Sequence, residues 1–478
     1  MLERVDDERN DIRFVCLEEL VPHDHLLRKI EKAVDFNEIY PMVEPYYCHD
    51  NGRPAVDPVL LVKMVLIQHL FGIRSLRQTV KDIDMHIAYR WFLKMGIDTP
   101  VPHFATVSYA FATRFPGELS EHIFAWVLDA AVGRGMVKPE TVFIDGTHIK
   151  ASANKRKKRK ELADVTARVY EQQLRDEINA DRIDHGKKPL KDKDDDQDPP
   201  TREVTVSTID PESGVFSKGE HETQFAYEAH TACDNNGFVL GYEVTPGNVH
   251  DSVAFDAVYD QVTAQFPRID TVVMDSAYRT PWICKRIFED GKQASLPYKN
   301  PMTKSGFFKR YDYIYDDIFD CIICPNNQIL SYSTTNRDGY REYKSDPKVC
   351  ASCPQLHRCT HSKNHQKVVT RHIWDVWIGL AEAFRKTPEG RASYARRKET
   401  IERVFADAKE KHAMRYTHHR GRTRVKAWVG FKFAAMNLKK MALWAAKVSC
   451  PSLDLLSVWF LLRKAPFRES GKGASLTV

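Results

Sequence analysis

The sequence predicts an α/β protein: a mixed-sheet core, an all-α N-terminal domain before it, and a small cysteine-rich metal-binding insertion within it. Three observations carry this expectation. Thr141-Val-Phe-Ile-Asp145-Gly146-Thr147 and Thr271-Val-Val-Met-Asp275-Ser276-Ala277 are apolar runs that each end in a carboxylate. Such runs suit strands covered on both faces, each delivering one Asp to a sheet edge. Residues 1–135 show helical periodicity instead, and five of the ten cysteines crowd between positions 321 and 359.

Length and composition set the frame. A chain of 478 residues is long enough for more than one domain, and 42% hydrophobic with 28% charged residues is ordinary for a globular protein. The net charge of +6 is modest, but the basic residues are clustered, so local fields matter more than the total. The charged N-terminus lacks the apolar core of a signal peptide, and no apolar run approaches the roughly 18 residues of a spanning helix. A cytoplasmic location is expected, with no membrane partner.

In chain order, Asp57-Pro58 reads as an N-cap followed by proline at the first helical position, opening a helix that ends at Gly72. A second helix over about 75–87 makes the pair similar to a helix-turn-helix, with Arg74, Arg77 and Lys81 available to phosphates; plain helical packing explains the pattern equally well. Further helices are expected at about 103–115 and 120–134. After the Asp145 strand come six consecutive basic residues, 155–160, then a polar helix to about 180 and a mixed-charge, proline-containing stretch. Asn235-Asn236-Gly237 between two alternating runs is a strong hairpin signal. A helix over 248–264, the Asp275 strand, a helix over 281–290 and a short strand at 294–297 follow. An acid-tipped strand, a hairpin, a helix and a second acid-tipped strand form the order found in RNase-H-like folds. Helices at 374–386, 390–412 and 427–447 close the chain, with the apolar run 455–462 read as a docking helix. The expected organisation is a helical DNA-binding domain over 1–135 and a catalytic core over 136–302 and 370–447. A charged insertion over 151–222, a cysteine-rich insertion over 303–369 and a tail over 448–478 complete it.

A third acid is expected on the 390–412 helix. Lys398, Glu402, Phe405 and Lys409 lie at i, i+4, i+7 and i+11, one helical stripe. Glu402 is preferred to Glu399, one turn earlier, because of its spacing to Lys409. Three converging carboxylates repel one another unless cations lie between them. Asp145, Asp275 and Glu402 are therefore the expected catalytic residues and the ligands of two Mg²⁺ ions about 3.5–4 Å apart. A lone Asp would be read as a cap or a surface ion pair; the matched strand ends are what favour the site.

At this point the chain resembles bacterial insertion-sequence transposases of the RNase-H-like Asp-Asp-Glu superfamily. Ile144-Asp145-Gly146-Thr147-His148 with Lys150 to Asn154 is similar to the first-acid motif, Thr245 to Ser252 to the motif preceding the second acid, and Met274 to Tyr278 to the second-acid motif. In the family's Tyr-Arg-Glu-Lys signature, Glu402 and Lys409 fit, Lys398 stands in the Arg slot and Ala395 in the Tyr slot, with Tyr394 displaced by one. The resemblance implies an enzyme that binds the terminal inverted repeats of its element, cuts the DNA with Mg²⁺ and joins the ends to a target. It also implies at least a homodimer on DNA, in the bacterial nucleoid. Residues 396–426 carry eleven Lys/Arg against four Asp/Glu. Lys398, Lys409, Arg415, Arg420 and Arg422, with Lys155, Arg156 and Lys157, are the expected contacts to double-stranded DNA. A solvated basic surface is the bland alternative.

Cys321-x-x-Cys324, Cys350-x-x-Cys353 and Cys359 suit a tetrahedral zinc site, with four of the five as ligands. An iron–sulfur cluster uses the same donors. Two rival readings of the whole chain are an inactive, domesticated transposase that only binds DNA, and a plain RNase-H-like nuclease.

Overall fold

The computed structural model describes residues 14–48, 55–115, 118–164, 170–191, 201–218, 222–300 and 302–448. The run 455–462, Cys450 and most of the mixed-charge stretch 187–200 lie outside the described residues. The chain divides into two compact units, 1–133 with 434–478, and 134–433.

The first unit is helical among its described residues. Asp57 caps the helix Pro58–Leu70, accepting from the Val59 N–H at 2.7 Å, and Ser75 caps Leu76–Met85 in the same way. Gly72 turns between them at φ 64°, a conformation that costs glycine nothing. The helix expected over 75–87 ends sooner, because His86 is extended and a new helix, Ile87–Phe92, begins there. The helix Phe104–Tyr109 continues, as expected, to about 115, its last stretch Ala110–Arg114 widening into a π-helix. Leu27, Ile30, Leu61, Leu66, Leu70, Ile123 and Leu128 fill the core. Lys63 is buried among them, its ammonium held by Glu31 at 2.7 Å and the Phe92 carbonyl at 3.1 Å, which is how a buried cation is tolerated.

The second unit holds the mixed sheet. Its strands are β1 (Thr141–Lys150), β4 (Gly214–Lys218), β5 (Glu222–Cys233), β6 (Val239–Pro246), β7 (Thr271–Val273) and β8 (Gln293–Ser295), with β2 (Lys158–Asp164) and β3 (Thr201–Ser207) forming a separate ribbon. Along the sheet, β5 lies antiparallel to β1, and β7 and β8 follow in parallel; the far edge of β5 pairs first with β4 and then with β6. Val142, Phe143 and Ile144 are fully buried, as are Val272, Val273 and Met274, as expected for runs covered on both faces. The Asn-Gly hairpin forms between β5 and β6. Asp234 accepts from the Asn236 and Phe238 N–H groups at 3.0 and 2.7 Å, and Gly237 takes φ 72°.

Two expectations are corrected here. β1 does not stop at Asp145 but runs on to Lys150, so Asp145 lies mid-strand opposite Thr231. Residues after the basic run do not go directly into a helix: 158–164 pair as β2 with β3, and the helix spans Glu171–Asp184.

A second sheet comprises β9 (Ile314–Asp316), β10 (Cys321–Ile323), β11 (Ile329–Thr335), β12 (Tyr340–Lys344) and β13 (Val368–His372), antiparallel throughout. The helix Glu171–Asp184, more than a hundred residues earlier in sequence, is bound to it by buried polar contacts. Arg341 Nε donates to Asp181 Oδ1 at 2.8 Å, Thr335 Oγ1 donates to Asp181 Oδ2 at 2.5 Å, and Arg182 donates to the Thr335 carbonyl at 2.7 Å. His185 Nε2 meets Asp320 at 2.7 Å. The same helix reaches the mixed sheet's flanking helix through Glu177, which takes Lys285 and Trp374 Nε1, each at 2.5 Å.

Candidate active site

The two parallel strands explain why two distant acids meet. Pairing of β1 with β7 ends at Phe143 opposite Val273, and Asp145 and Asp275 each stand two residues further on. Asp275 leaves the strand at once: its Oδ1 accepts from the Ala277 N–H at 2.8 Å and caps a short 3₁₀ turn. Asp145 accepts from its neighbour's amide, the Gly146 N–H, at 2.9 Å.

Two further carboxylates join them, Glu228 from β5 and Asp251 from the first turn of the helix Asp251–Gln265. The crowding is electrostatically costly. Burial, with Asp275 and Asp251 nearby, pushes the Asp145 carboxyl up to about 6 against the pull of Arg397. Burial also raises Glu228 and Asp251, each with the other acids adding to the shift. His230, buried on β5, is lowered to about 4 and is neutral at physiological pH. Its Nε2 meets Thr245 Oγ1 at 2.9 Å and its Nδ1 faces Asp251 Oδ1 at 3.6 Å. His148 Nδ1 stands 3.3 Å from Glu228 Oε1.

The clustered carboxylates are of the kind that hold a divalent cation. Asp251 Oδ1 is buried with no N–H donated to it, and its carboxyl shares a hydrogen bond with that of Glu228. Gly146 leaves a cradle for the acids: a Cβ there would lie 2.5 Å from Glu228 Oε1 and 3.0 Å from Asp251 Oδ1. Among the described residues, Glu228, His230 and Asp251 are the one group of His, Cys, Asp or Glu whose ligand atoms all lie within 4.8 Å of one another.

The raised Asp145 carboxyl has a consequence for stability. Its folded value near 6 exceeds the reference 3.8, so folding favours the protonated form. That contribution is complete below about pH 4 and is lost as the pH rises through 6, about 3 kcal/mol in all. The metal-free wild type is therefore expected to lose melting temperature between pH 4 and 7 relative to Asp145→Asn. Added Mg²⁺ is expected to restore it above pH 6 and to do nothing at pH 4. Parallel melting curves for the two proteins would contradict this reading.

The stretch expected as one helix over 390–412 is broken. Helix Pro388–Ala395 runs into a 3₁₀ turn, Arg396–Glu399, and a new helix, Ile401–Glu410, starts beyond Thr400, whose φ −108° and ψ −96° are not helical. The proposed stripe is therefore corrected. Lys398 lies in the turn, Phe405 is buried, and Glu402 is exposed in the first turn of a helix packed on β1. The break has a second effect. Arg397 is buried with its guanidinium on Asp145 Oδ2 and is also hydrogen-bonded to Tyr394. Tyr394 and Arg397 have the two-residue gap of the signature's Tyr and Arg, one residue early, and the turn at Thr400 absorbs the difference.

The expected DNA contacts fall into two groups that the fold joins. Lys155, Arg156 and Lys157 are exposed at the root of the β2–β3 ribbon; Arg415 and Arg420 are exposed on the segment before the last helix, and Arg422 is exposed as the first residue of that helix. The two backbones are tied together: Lys150 N–H donates to the Arg415 carbonyl, Thr417 N–H to the Lys150 carbonyl, both at 3.0 Å, and Arg420 Nε to the Ser152 carbonyl at 3.2 Å. Arg415 is ion-paired with Glu410. Lys398 is exposed and Lys409 half-buried.

In the cysteine segment Cys321 is buried on β10, while Cys324, Cys350, Cys353 and Cys359 are half-buried. Gln328 N–H donates to Cys324 Sγ at 3.4 Å across a turn with Asn327 at φ 54°, and Tyr313 Oη lies 3.3 Å from Cys359 Sγ. Burial raises the Cys359 thiol, with Cys350 and Cys324 adding to the shift. No three of these sulfurs come within 4.8 Å of one another.

Two family models match the chain. One is described as Transposase domain (DUF772), over residues 15–112, and the other as Transposase DDE domain, over residues 323–442. Both descriptions are of transposase domains; the Glu402 and Lys409 motif lies within the second matched segment, while the Asp145 and Asp275 motifs lie outside both. Two solved structures are also similar at 10% identity. A Mos1 transposase paired-end complex with left transposon end has a TM-score of 0.17 over 54% of this chain. A pre-cleavage Mos1 transpososome has a TM-score of 0.18 over 89% of this chain and 98% of its own. The chain spans 65% of the length of the first of these. No curated protein matches. No helix among the described residues is long and apolar enough to cross a membrane.

Proposed function

We propose that the chain is a DNA transposase that binds the ends of its own element, cuts them and joins them to a target. The observation that carries this reading is the pair of acids, Asp145 and Asp275, at matched positions on adjacent parallel strands. The strand order, three antiparallel strands continued by two parallel ones, supports the RNase-H-like assignment.

In this reading Asp145, Asp275 and Glu402 hold the catalytic cations. Bound there, two Mg²⁺ ions supply charge for the leaving oxygen and lower the pKa of the attacking water or 3′-hydroxyl. The protein's own residues do the rest. The joined basic segments at 155–157 and 415–422 carry the DNA backbone to the acids by charge, and Lys398 and Lys409 flank the scissile phosphate. Arg397, seated on Asp145 and steadied by Tyr394, balances one of the clustered negative charges until a cation does so. Two ends must be held together before joining, so the working form is at least a homodimer on double-stranded DNA, in the nucleoid of a bacterial cytoplasm.

The test is cleavage and joining of DNA carrying the element's ends, with Mg²⁺. Products joined to a target support a transposase. Tight end binding without metal-dependent cleavage would leave the domesticated binder, and cleavage without preference for the ends would leave the nuclease.

The cysteine segment is proposed to hold one Zn²⁺ through Cys324, Cys350, Cys353 and Cys359, with Cys321 spare on its strand. Binding draws the four sulfurs in from their wider spacing to the roughly 3.8 Å of a tetrahedral site. The N–H donated to Cys324 Sγ and the electrostatic coupling of Cys359 to Cys350 and Cys324 support this choice. The purified chain is expected to carry one zinc by elemental analysis. Cys353→Ser should lose most of it and Cys321→Ser should keep it; equal retention by both would contradict the assignment.

A further inference from the structure

Glu228, His230 and Asp251 belong to none of the roles above, yet they are the described residues best arranged to grip an ion. Glu228 and His230 are two apart on β5, so both side chains leave the same face of the strand, and both are buried. A Glu and a His on the covered face of a central strand are costly unless something engages them.

We propose that Glu228, His230 and Asp251 form a further divalent-cation site, of mixed nitrogen and oxygen donors, beside the Asp145–Asp275 pair. Four observations converge on it. The three ligand atoms lie within 4.8 Å of one another. Asp251 Oδ1, 3.6 Å from His230 Nδ1, is buried with no protein N–H donated to it, and the Asp251 carboxyl shares a hydrogen bond with Glu228, a carboxyl–carboxyl contact whose proton a cation can replace. Thr245 Oγ1, at 2.9 Å, engages His230 Nε2, the outer contact that orients a ligating imidazole, and Nδ1 faces Asp251 with a long hydrogen bond to Tyr278 Oη beside it. Gly146 supplies the room, since a methyl group there would meet both Glu228 Oε1 and Asp251 Oδ1. Tyr278 Oη, 3.4 Å from Nδ1, and His148, 3.3 Å from Glu228, close the surroundings.

The donor set points to the kind of ion. Carboxylate oxygens accept Mg²⁺, Ca²⁺ and Mn²⁺, whereas an imidazole nitrogen selects for first-row transition ions. Two oxygens with one nitrogen suit Mn²⁺ or a similar ion better than Mg²⁺. The site thus differs in metal preference from the all-carboxylate set of the proposed reaction, and the inference goes beyond that reading.

The test is a Mn²⁺ titration of the full-length chain without DNA, following free Mn²⁺ by electron paramagnetic resonance and nitrogen coordination by its pulsed form. Wild type is expected to hold Mn²⁺ with ¹⁴N modulation. Asp251→Asn and Gly146→Ala should each weaken this binding about tenfold or more. His230→Gln should lose the modulation, while His148→Gln and the double variant Asp145→Asn/Asp275→Asn should keep it. Bound Mn²⁺ without ¹⁴N modulation would overturn the proposal, as would unchanged affinity in Asp251→Asn, or loss of the modulation in His148→Gln instead. Metal-free melting curves check that each variant folds, and Asp251→Asn carries the test if His230→Gln does not. The two readings fail separately: nitrogen-coordinated Mn²⁺ without end cleavage removes only the transposase reading, and end cleavage with no such Mn²⁺ removes only this one.

Discussion

Replacing Asp145 with asparagine is expected to lower metal-dependent strand cleavage by at least about a thousandfold while leaving binding to the DNA ends nearly unchanged. The magnitude follows from losing one of the proposed cation ligands, where several kcal/mol of transition-state charge stabilisation would be generated, at about 1.4 kcal/mol per factor of ten. The selectivity follows from the fold. Asp145 is inside β1, whereas the basic segments lie past its end, joined at Lys150 to Arg415 and Thr417. Removing one carboxylate from the site leaves those backbone ties untouched. A gel-shift measurement beside a cleavage time course separates the two effects. Loss of both together would mean that Asp145 shapes the DNA-binding surface instead.

The second large effect concerns stability. Asp181→Ala is expected to cost about 3 kcal/mol, read as a lower denaturant midpoint, because it strands the half-buried Arg341 without its principal partner. The nearby Asp320, 3.8 Å from Arg341, softens the loss, which keeps the figure at the low end of what a broken buried ion pair costs. Thr335 Oγ1 loses its acceptor as well. Since Asp181 joins the helix Glu171–Asp184 to the sheet of β9–β13, the variant is also expected to expose the cysteine segment to thiol reagents faster than the wild type. A change below about 0.5 kcal/mol would mean that the contact is an ordinary surface pair.

Parts of this structure were legible in the sequence for clear reasons. The runs before Asp145 and Asp275 are purely apolar, so their burial on both faces followed. Asn235-Asn236-Gly237 has the chemistry of a tight turn, and Asp57-Pro58 and Ser75 are caps that work through local bonds. Local signals of this kind survive because the tertiary structure does not oppose them.

What the sequence hid is non-local. The periodicity of 390–412 is good enough for one helix, and nothing in it marks the break at Thr400 that turns Arg397 onto Asp145. The contact of Asp181 with Arg341 joins residues 160 apart in the chain. Glu228 and His230 did leave a trace. In the stretch 225–233, otherwise aromatic, small or apolar, charged and titratable side chains two apart on one face ask for a partner, and that question was available before the structure. The strand end expected at Asp145 was wrong because residues 146–150 continue to pair with β5, which a polar composition does not forbid on a partly exposed edge.

The central claim is that Asp145, Asp275 and Glu402 act as one unit. Glu402 is its least guarded member, being exposed on a helix that packs against β1. The most direct measurement is the Mg²⁺-dependent cleavage rate on end-bearing DNA for Asp145→Asn, Asp275→Asn, Glu402→Gln and the triple variant. Residues that work as a unit are non-additive, so each single change should fall nearly as far as the triple. A Glu402→Gln protein that cuts at the wild-type rate would contradict the claim.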